Sequence, residues 1–301
     1  MKAFEFKNVV KTYPEFKLGP LNFDLEPGVV LGYIGPNGSG KTTTMHCLVG
    51  LVKTDSGEMK VFGRSNNPNK PDWKFDIGYV GDIHVFYENW TAEKNLKFLS
   101  QFYPNWSDDL VAKFAQRFEM PLNKKAKELS GGNRVKLSLI LALAHSPKLL
   151  LLDEPTSGLD PVVRTEVLDV LFEVLESGER AIFYSTHILS DISRLADELA
   201  FLHEGKILQR SAKDDLTDSW RKISFRLEKP DLKFEATVSH LKDGKDHQVI
   251  SADFERTLKQ LRELGAENIQ ENRMTIDEIA VQILKGVKLN NPKSQIFGAN
   301  P

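Results

Sequence analysis

The chain has 301 residues, 41% of them hydrophobic and 27% charged, enough to bury the core of one large domain and a smaller one. With 40 Lys and Arg against 42 Asp and Glu the net charge is −2, so no global basic field invites nucleic acid. The single cysteine, Cys47, excludes an internal disulfide, fits a reducing compartment and reads as a small apolar residue on a packed helix.

The opening "MKAFEFKNVVKTYP" goes straight into a strand-like alternation, so no signal peptide is expected. Residues 3–34 predict three short strands separated by turns at Gly19-Pro20 and Pro27-Gly28. The third, "VVLGYI", is apolar throughout, as a central buried strand should be. A glycine loop opening a helix follows in "GPNGSGKTTTMHCLVGL", and "GEMKVFG" and "DIGYV" predict further strands. From about 91 to 146 the pattern is helical: Thr91 and Ser107 suit N-caps, and Leu110, Phe114 and Phe118 repeat every four residues.

The richest apolar stretch, "LSLILALAHSPKLLLLD", is broken by His145, Ser146, Pro147 and Lys148. It predicts a buried helix, a break and a buried strand, and not a membrane span of about 20 residues. The strands "KLLLLDEP" and "RAIFYSTH" flank a helix containing "RTEVLDVLFEVLE", and "ELAFLHEGKILQ" predicts a hairpin turning near Glu204-Gly205. Strands alternating with helices predict a mostly parallel α/β sheet. Around 212–222 the pattern changes to a compact βα appendage. There "KISFRLE" is strand-like, "FERTLKQLRELG" is an amphipathic helix ended by Gly265, and "TIDEIAVQIL" opens on a Thr275…Glu278 capping box. The expected division is 1–211 and 212–301, with a loose tail from about 287 that takes in "NNPKSQIFGANP".

The chemistry gathers in four stretches. "GPNGSGKT", Gly35–Thr42, matches G-x-x-x-x-G-K-[ST] between a strand and a helix. Glycines let backbone N–H groups curl around phosphate oxygens, and the helix start adds partial positive charge. Lys41 should reach the β- and γ-phosphates and the Thr42 hydroxyl should ligate Mg²⁺. At the end of "LLLLD", Asp153 should also hold Mg²⁺, directly or through water, and Glu154 suits the general base for an attacking water. His187 closes "AIFYSTH" at the same sheet edge, where it could sense a γ-phosphate. "ELSGGNRVKLS" offers a second anion-binding helix start at Ser130, Gly131 and Gly132, without catalytic groups of its own.

The ordered set "GPNGSGKT", "LSGGN", "LLLLDEPTSGLD" and "STH" resembles the ATP-binding subunit of an ABC transporter over roughly residues 1–211. The resemblance implies a P-loop fold of ABC type: an α/β mostly parallel core sheet, an antiparallel β subdomain, a helical subdomain at about 91–146 and, here, a small C-terminal αβ appendage. ATP and Mg²⁺ are the implied ligands. The phosphate loop implies contacts from Gly35, Pro36, Asn37, Gly38, Ser39, Gly40, Lys41, Thr42 and Thr43. In such subunits Ser130, Gly131 and Gly132 close over ATP held by the opposite subunit, and Asp160 contacts that subunit. Tyr13 resembles the aromatic that stacks on adenine, with Phe16 as the alternative and a plain strand-edge tyrosine as the bland reading. Asp82 takes the place of a glutamine that joins Mg²⁺ to the membrane-facing groove; otherwise it is a strand-end cap. Asn133 stands where Gln is usual.

The implied function is ATP hydrolysis that energises a membrane transporter, with export favoured. The partners would be an integral membrane permease and a second ATPase subunit, identical or paralogous, placing the chain peripherally on the cytoplasmic face of the membrane; nucleic acid is not expected. The alternative is a soluble ABC ATPase of an assembly or regulatory complex. Translation-type relatives carry two cassettes and chromosome-type relatives a long coiled-coil insertion, whereas here only 89 positions separate Lys41 from Ser130.

Overall fold

The computed structural model describes residues 1–290 apart from 68, 83–84, 177–179 and 229–233, and omits the side chains of 287–290. Two compact units emerge, Met1–Ile207 and Leu208–Pro301. In the first, β1 (Phe4–Tyr13) and β2 (Phe16–Leu25) pair antiparallel, Phe4 opposite Leu25 and Tyr13 opposite Phe16. The expected turn at Gly19-Pro20 is therefore corrected: these residues lie inside β2, and the chain reverses at Pro14-Glu15. Pro20 is tolerated because β2 is an edge strand, where a missing N–H need not break a ladder. Gly19 has φ +92°, and a Cβ there would stand 2.1 Å from the Val9 carbonyl oxygen. Register shifts on both sides of Val9 absorb the irregularity.

Next come β3 (Val30–Ile34), buried at every position, and α1 (Lys41–Leu48). The strands β4 (Ser56–Val61) and β5 (Arg64–Ser65) complete an antiparallel sheet of order β2-β1-β4-β5. After β6 (Ile77–Val80) the chain turns helical, with α2 (Ala92–Ser100), α3 (Asp108–Arg117) and α4 (Gly131–Leu143). Thr91, Ser107 and Ser130 cap them, each side-chain oxygen accepting from the N–H three residues on. The alternation then continues through β7 (Leu149–Asp153), α5 (Pro161–Leu175), β8 (Ala181–Thr186), α6 (Leu189–Leu195), β9 (Glu198–His203) and β10 (Lys206–Ala212).

These strands build the second sheet in the order β10-β9-β3-β8-β7-β6, in which β9, β3, β8, β7 and β6 run parallel. The β9–β10 hairpin turns on Glu204 and Gly205, at φ +46° and +74°, as a two-residue turn requires. The core lies between the two sheets. Phe4, Phe6 and Phe23 meet Tyr33 and Phe183, with Tyr33 and Phe183 centroids 5.0 Å apart. Parallel strands end on one edge, so the segments following β3, β7 and β8 open side by side there.

The second unit contains α7 (Lys213–Ser219), β11 (Arg221–Arg226), β12 (Thr237–Asp243), β13 (Asp246–Ser251), α8 (Phe254–Glu263), β14 (Glu267–Arg273) and α9 (Ile276–Asn290). Its sheet runs β12-β13-β11-β14 over a core of Ile223, Phe225, Leu227, Phe234, Val249 and Leu261. Gly265 ends α8 at φ +76°, and Thr275 and Glu278 form the capping box. The strands β12, β13 and β14 escaped the sequence reading; "ENIQENR", for one, is exposed at six of its seven positions and shows no apolar alternation. The expected division at 211/212 compares with one at 207/208, inside β10. Helix α9 runs past 287 to Asn290, and residues 291–301 of the expected tail lie outside the described residues. No helix among the described residues is long and apolar enough to cross a membrane.

Phe183 is fully buried at the meeting of the two sheets. Phe183→Ala should cost about 3–5 kcal/mol, read as a lower denaturation midpoint. Leu241→Ala, at a residue 66% exposed, should move it by less than about 0.5 kcal/mol.

Candidate functional site

Between β3 and α1 the chain makes a tight loop whose glycines are sterically required. A Cβ on Gly35 would stand 2.4 Å from the Leu202 carbonyl oxygen, and one on Gly40, at φ +108°, 2.8 Å from Leu18 and from Phe16. Gly40 is the N-cap of α1 and offers no side-chain cap, so the first N–H groups of the helix are left for an anion. The loop wraps the Lys41 ammonium, which donates to the carbonyls of Gly35 at 2.8 Å and Pro36 at 3.2 Å. Lys41 is 6% exposed, and its Nζ lies 3.2 Å from Glu154 Oε1.

Asp153 is the last residue of β7 and is fully buried. Its Oδ1 accepts from the Ser185 hydroxyl on the neighbouring β8, while Oδ2 has no hydrogen-bond partner. Burial pushes the Asp153 carboxyl above the usual aspartate range. The Ser185 and Thr42 hydroxyls oppose that rise, and the Asp82 and Glu154 carboxylates add to it. Glu154 follows at φ +50°, a left-handed conformation unusual for this residue type. The bend turns its side chain toward Lys41 and His187: Oε2 lies 2.8 Å from His187 Nδ1 and accepts from the His187 N–H at 3.3 Å. His187 is itself 44% exposed.

A cleft of about 580 Å³ opens above these groups. Asn37, Gly38, Gly40, Lys41, Thr42 and Thr43 form its floor, Asp82 and Glu154 also line it, and Tyr13, Glu15 and Phe16 contribute as well. Tyr13 and Phe16 are near-parallel, 28° apart with centroids 6.5 Å apart, so both aromatic candidates share the cleft. Pro36 and Ser39 line an adjoining hollow of about 550 Å³. Gly35 and Asp153 are buried and do not line the cleft, and His187 stands against Glu154. The sequence reading missed Ser185, although it lies in the quoted "STH", because its partner sits on another strand.

The remaining candidates are placed elsewhere. Ser130 caps α4 and Asp160 caps α5, accepting from Val162 and Val163 N–H at 3.0 and 3.1 Å. Neither residue, nor Gly131 or Gly132, lines the Lys41 cleft. A Cβ on Gly131 would meet nothing within 4 Å, whereas one on Gly132 would stand 2.9 Å from the Val163 side chain of α5.

A strand–glycine loop–helix with a buried lysine, and a carboxylate ending a parallel strand two places away in the sheet, define a P-loop nucleoside triphosphatase. The family model described as "ABC transporter" matches residues 18–157. The chain is 35% identical over 212 residues to the bacitracin transport ATP-binding protein BcrA of Bacillus licheniformis, spanning 69% of each chain. It is 32% identical over 224 residues to the Nod factor export ATP-binding protein I of Rhizobium etli, spanning 72% of this chain and 71% of that one. A solved ATP-binding subunit of an ABC transporter superposes with TM-score 0.65 at 26% identity, covering 72% of this chain and 92% of the other. The chain therefore belongs to the ABC transporter ATP-binding family. It is an ATPase that energises a membrane transporter.

The carboxyl of Asp153 carries a testable linkage. With its folded pKa raised above about 3.9, the folded state holds the proton more tightly. Ionised Asp153 therefore burdens the nucleotide-free fold; the burden is absent below the unfolded value, grows as pH rises and is complete above the folded one. Asp153→Asn should raise the melting temperature of the nucleotide-free protein near neutral pH, with the gain shrinking toward acid. Thermal denaturation across that pH range checks this, and a variant destabilised throughout would contradict it.

Proposed function

We propose that this chain is the ATP-hydrolysing subunit of an exporter, in which two ATPase subunits close over ATP on a separate membrane permease. The observation that carries the dimer is the position of Ser130, Gly131 and Gly132. They form a helix N-terminus away from their own chain's cleft, open at Gly131 and packed against Val163 at Gly132. Such a start offers N–H and O–H donors to a phosphate, and a two-fold dimer brings it to the opposite site. Asp160, at the neighbouring α5 start, is then a contact to the second subunit. Export rests on relatives whose names specify bacitracin transport and Nod factor export. The chain would sit peripherally on the cytoplasmic face through the permease.

In the closed site Lys41, Gly35–Thr43 and the α1 N-terminus hold the phosphates, and Tyr13 or Phe16 stacks on adenine. The residues fit a Mg²⁺ ion: Asp153 Oδ2 has no hydrogen-bond partner, the Thr42 hydroxyl and the Asp82 carboxylate both act on the Asp153 carboxyl and line the cleft, and all are hard oxygen donors. Bound there with ATP, Mg²⁺ would neutralise phosphate charge. Glu154 is the base that orients and deprotonates the attacking water, and His187 donates to the γ-phosphate. Both first leave their mutual contact, because the phosphate claims Lys41 and His187 and frees the Glu154 carboxylate.

Lys41→Ala should weaken ATP binding, whereas Glu154→Gln should keep binding, stop turnover and accumulate an ATP-bound dimer on size-exclusion chromatography. A Glu154→Gln protein that stays monomeric with ATP points to a paralogous partner. Ser130→Arg should lower turnover while monomeric ATP affinity stays within a few-fold; loss of binding as complete as in Lys41→Ala would defeat the assignment in trans.

Asp82 lies between two cavities. It lines the ATP cleft, while Gly81, Val85 and Phe86 line a more apolar one of about 330 Å³. This supports a role in relaying nucleotide state to the permease. Asp82→Ala should then leave ATP affinity within a few-fold but weaken stimulation of the ATPase by reconstituted permease, with Asp82→Gln milder. Unchanged stimulation would leave only a loop cap.

A further inference from the structure

Asp191, in the first turn of α6, is 1% exposed, and a carboxylate so deeply buried demands partners. It has two, from two different segments. Its Oδ2 accepts from the Thr156 hydroxyl at 2.5 Å, and its Oδ1 from Arg164 Nε of α5 at 2.6 Å. With the Thr156 proton committed to the carboxylate, the Tyr184 hydroxyl of β8 donates to Thr156 Oγ1 at 3.1 Å. Arg164 also donates to Ser190 Oγ at 2.5 Å.

The sequence positions of these partners give the network its meaning. Thr156 is two residues beyond Glu154, and Asp191 four beyond His187. The two loops whose side chains meet at 2.8 Å, Glu154 to His187, are thus tied to each other a second time through one buried carboxylate. Glu154 needs such a tie, since a left-handed residue that is not glycine persists only where its surroundings hold it. The N–H of Glu154, donating to Ser185 carbonyl oxygen at 3.1 Å, fixes one side of the bend, and the Thr156–Asp191 bond fixes the other. Helix α6 offers a firm base: Ile192 packs so closely on β3 that a Cβ at Gly32 would lie 2.4 Å from it.

We propose that Asp191 is a positioning residue for ATP hydrolysis, which through Thr156 and Arg164 locks the Glu154 and His187 loops and α5 into one frame and so sets Glu154 for the attacking water. This rests on the reading of Glu154 as the base. The partners of Asp191, Thr156 and Arg164, do not line the cleft, so its loss acts on the geometry of turnover and not on ATP binding. Small misplacements of a catalytic group can cost on the order of a hundredfold in rate.

The test compares Asp191→Asn, Thr156→Val and Thr156→Ser in steady-state ATPase assays of the full chain, with ATP affinity measured separately by fluorescent nucleotide. Thr156→Val keeps the shape and removes the hydroxyl, whereas Thr156→Ser keeps the donor. The expected result is a kcat lowered roughly 10- to 100-fold in Asp191→Asn and Thr156→Val, with KM and affinity within about threefold and Thr156→Ser close to wild type. If Asp191→Asn does not fold, the Val/Ser pair carries the comparison alone. Equal losses in Thr156→Val and Thr156→Ser, a kcat unchanged by the loss of the hydroxyl, or losses that fall on KM and affinity would overturn the proposal. Glu154→Gln is assayed alongside: full turnover in that variant would overturn the reading of the base itself, independently of Asp191.

Discussion

Glu154 pairs with the Lys41 ammonium while its neighbour Asp153 is buried with no cation beside it among the described residues, in a place from which water is largely excluded. Charges removed from water are tolerated only when they are paired and hydrogen-bonded. Lys41 meets that condition through two loop carbonyls and Glu154, whereas Asp153 meets only half of it, with Oδ2 left over. The resting site is therefore electrostatically unfinished. A phosphate chain with a divalent cation has the charges that complete it: anionic oxygens for Lys41 and the α1 N-terminus, and a cation for Asp153.

That arrangement depends on strand order. Lys41 follows β3, Asp153 ends β7, Ser185 lies in β8 and His187 just follows it, and β8 lies between those two strands. Parallel pairing brings all three strand ends to the same edge, and the aromatic packing of Phe4, Phe23, Tyr33 and Phe183 keeps the edge rigid from below. The loops above it carry backbone irregularity of their own, with Gly38, Gly40 and Glu154 at positive φ. A stiff sheet carrying strained loops suits a site that must hold several groups at fixed separations and still rearrange when phosphate arrives.

The same economy explains why two helix starts differ. The α1 start has no side-chain cap and faces the cleft. The α4 start has its Ser130 cap in place, and Gly131 beside it borders open space. One borders its own chain's cleft; the other contributes no residue to that cleft.

Much of this was legible in the linear order of residues, because phosphate loops, caps and strand-end carboxylates are local chemistry. Gly35–Thr42 needs its glycines for loop curvature and Lys41 for charge, and those demands appear within eight consecutive residues. Thr91, Ser107, Thr275 and Glu278 declared their helix starts in the same way. Local rules misread Gly19-Pro20 as a turn because they cannot tell that β2 lies at an edge, and they passed over β12–β14, whose polar faces carry no periodic signal. Tertiary structure alone decided which side chains meet across distant strands: Ser185 with Asp153, Glu154 with both Lys41 and His187, and Asp191 with Thr156 and Arg164. Such contacts follow from strand order and helix packing, which bring together residues about 30 positions or more apart and which no short stretch of sequence can specify.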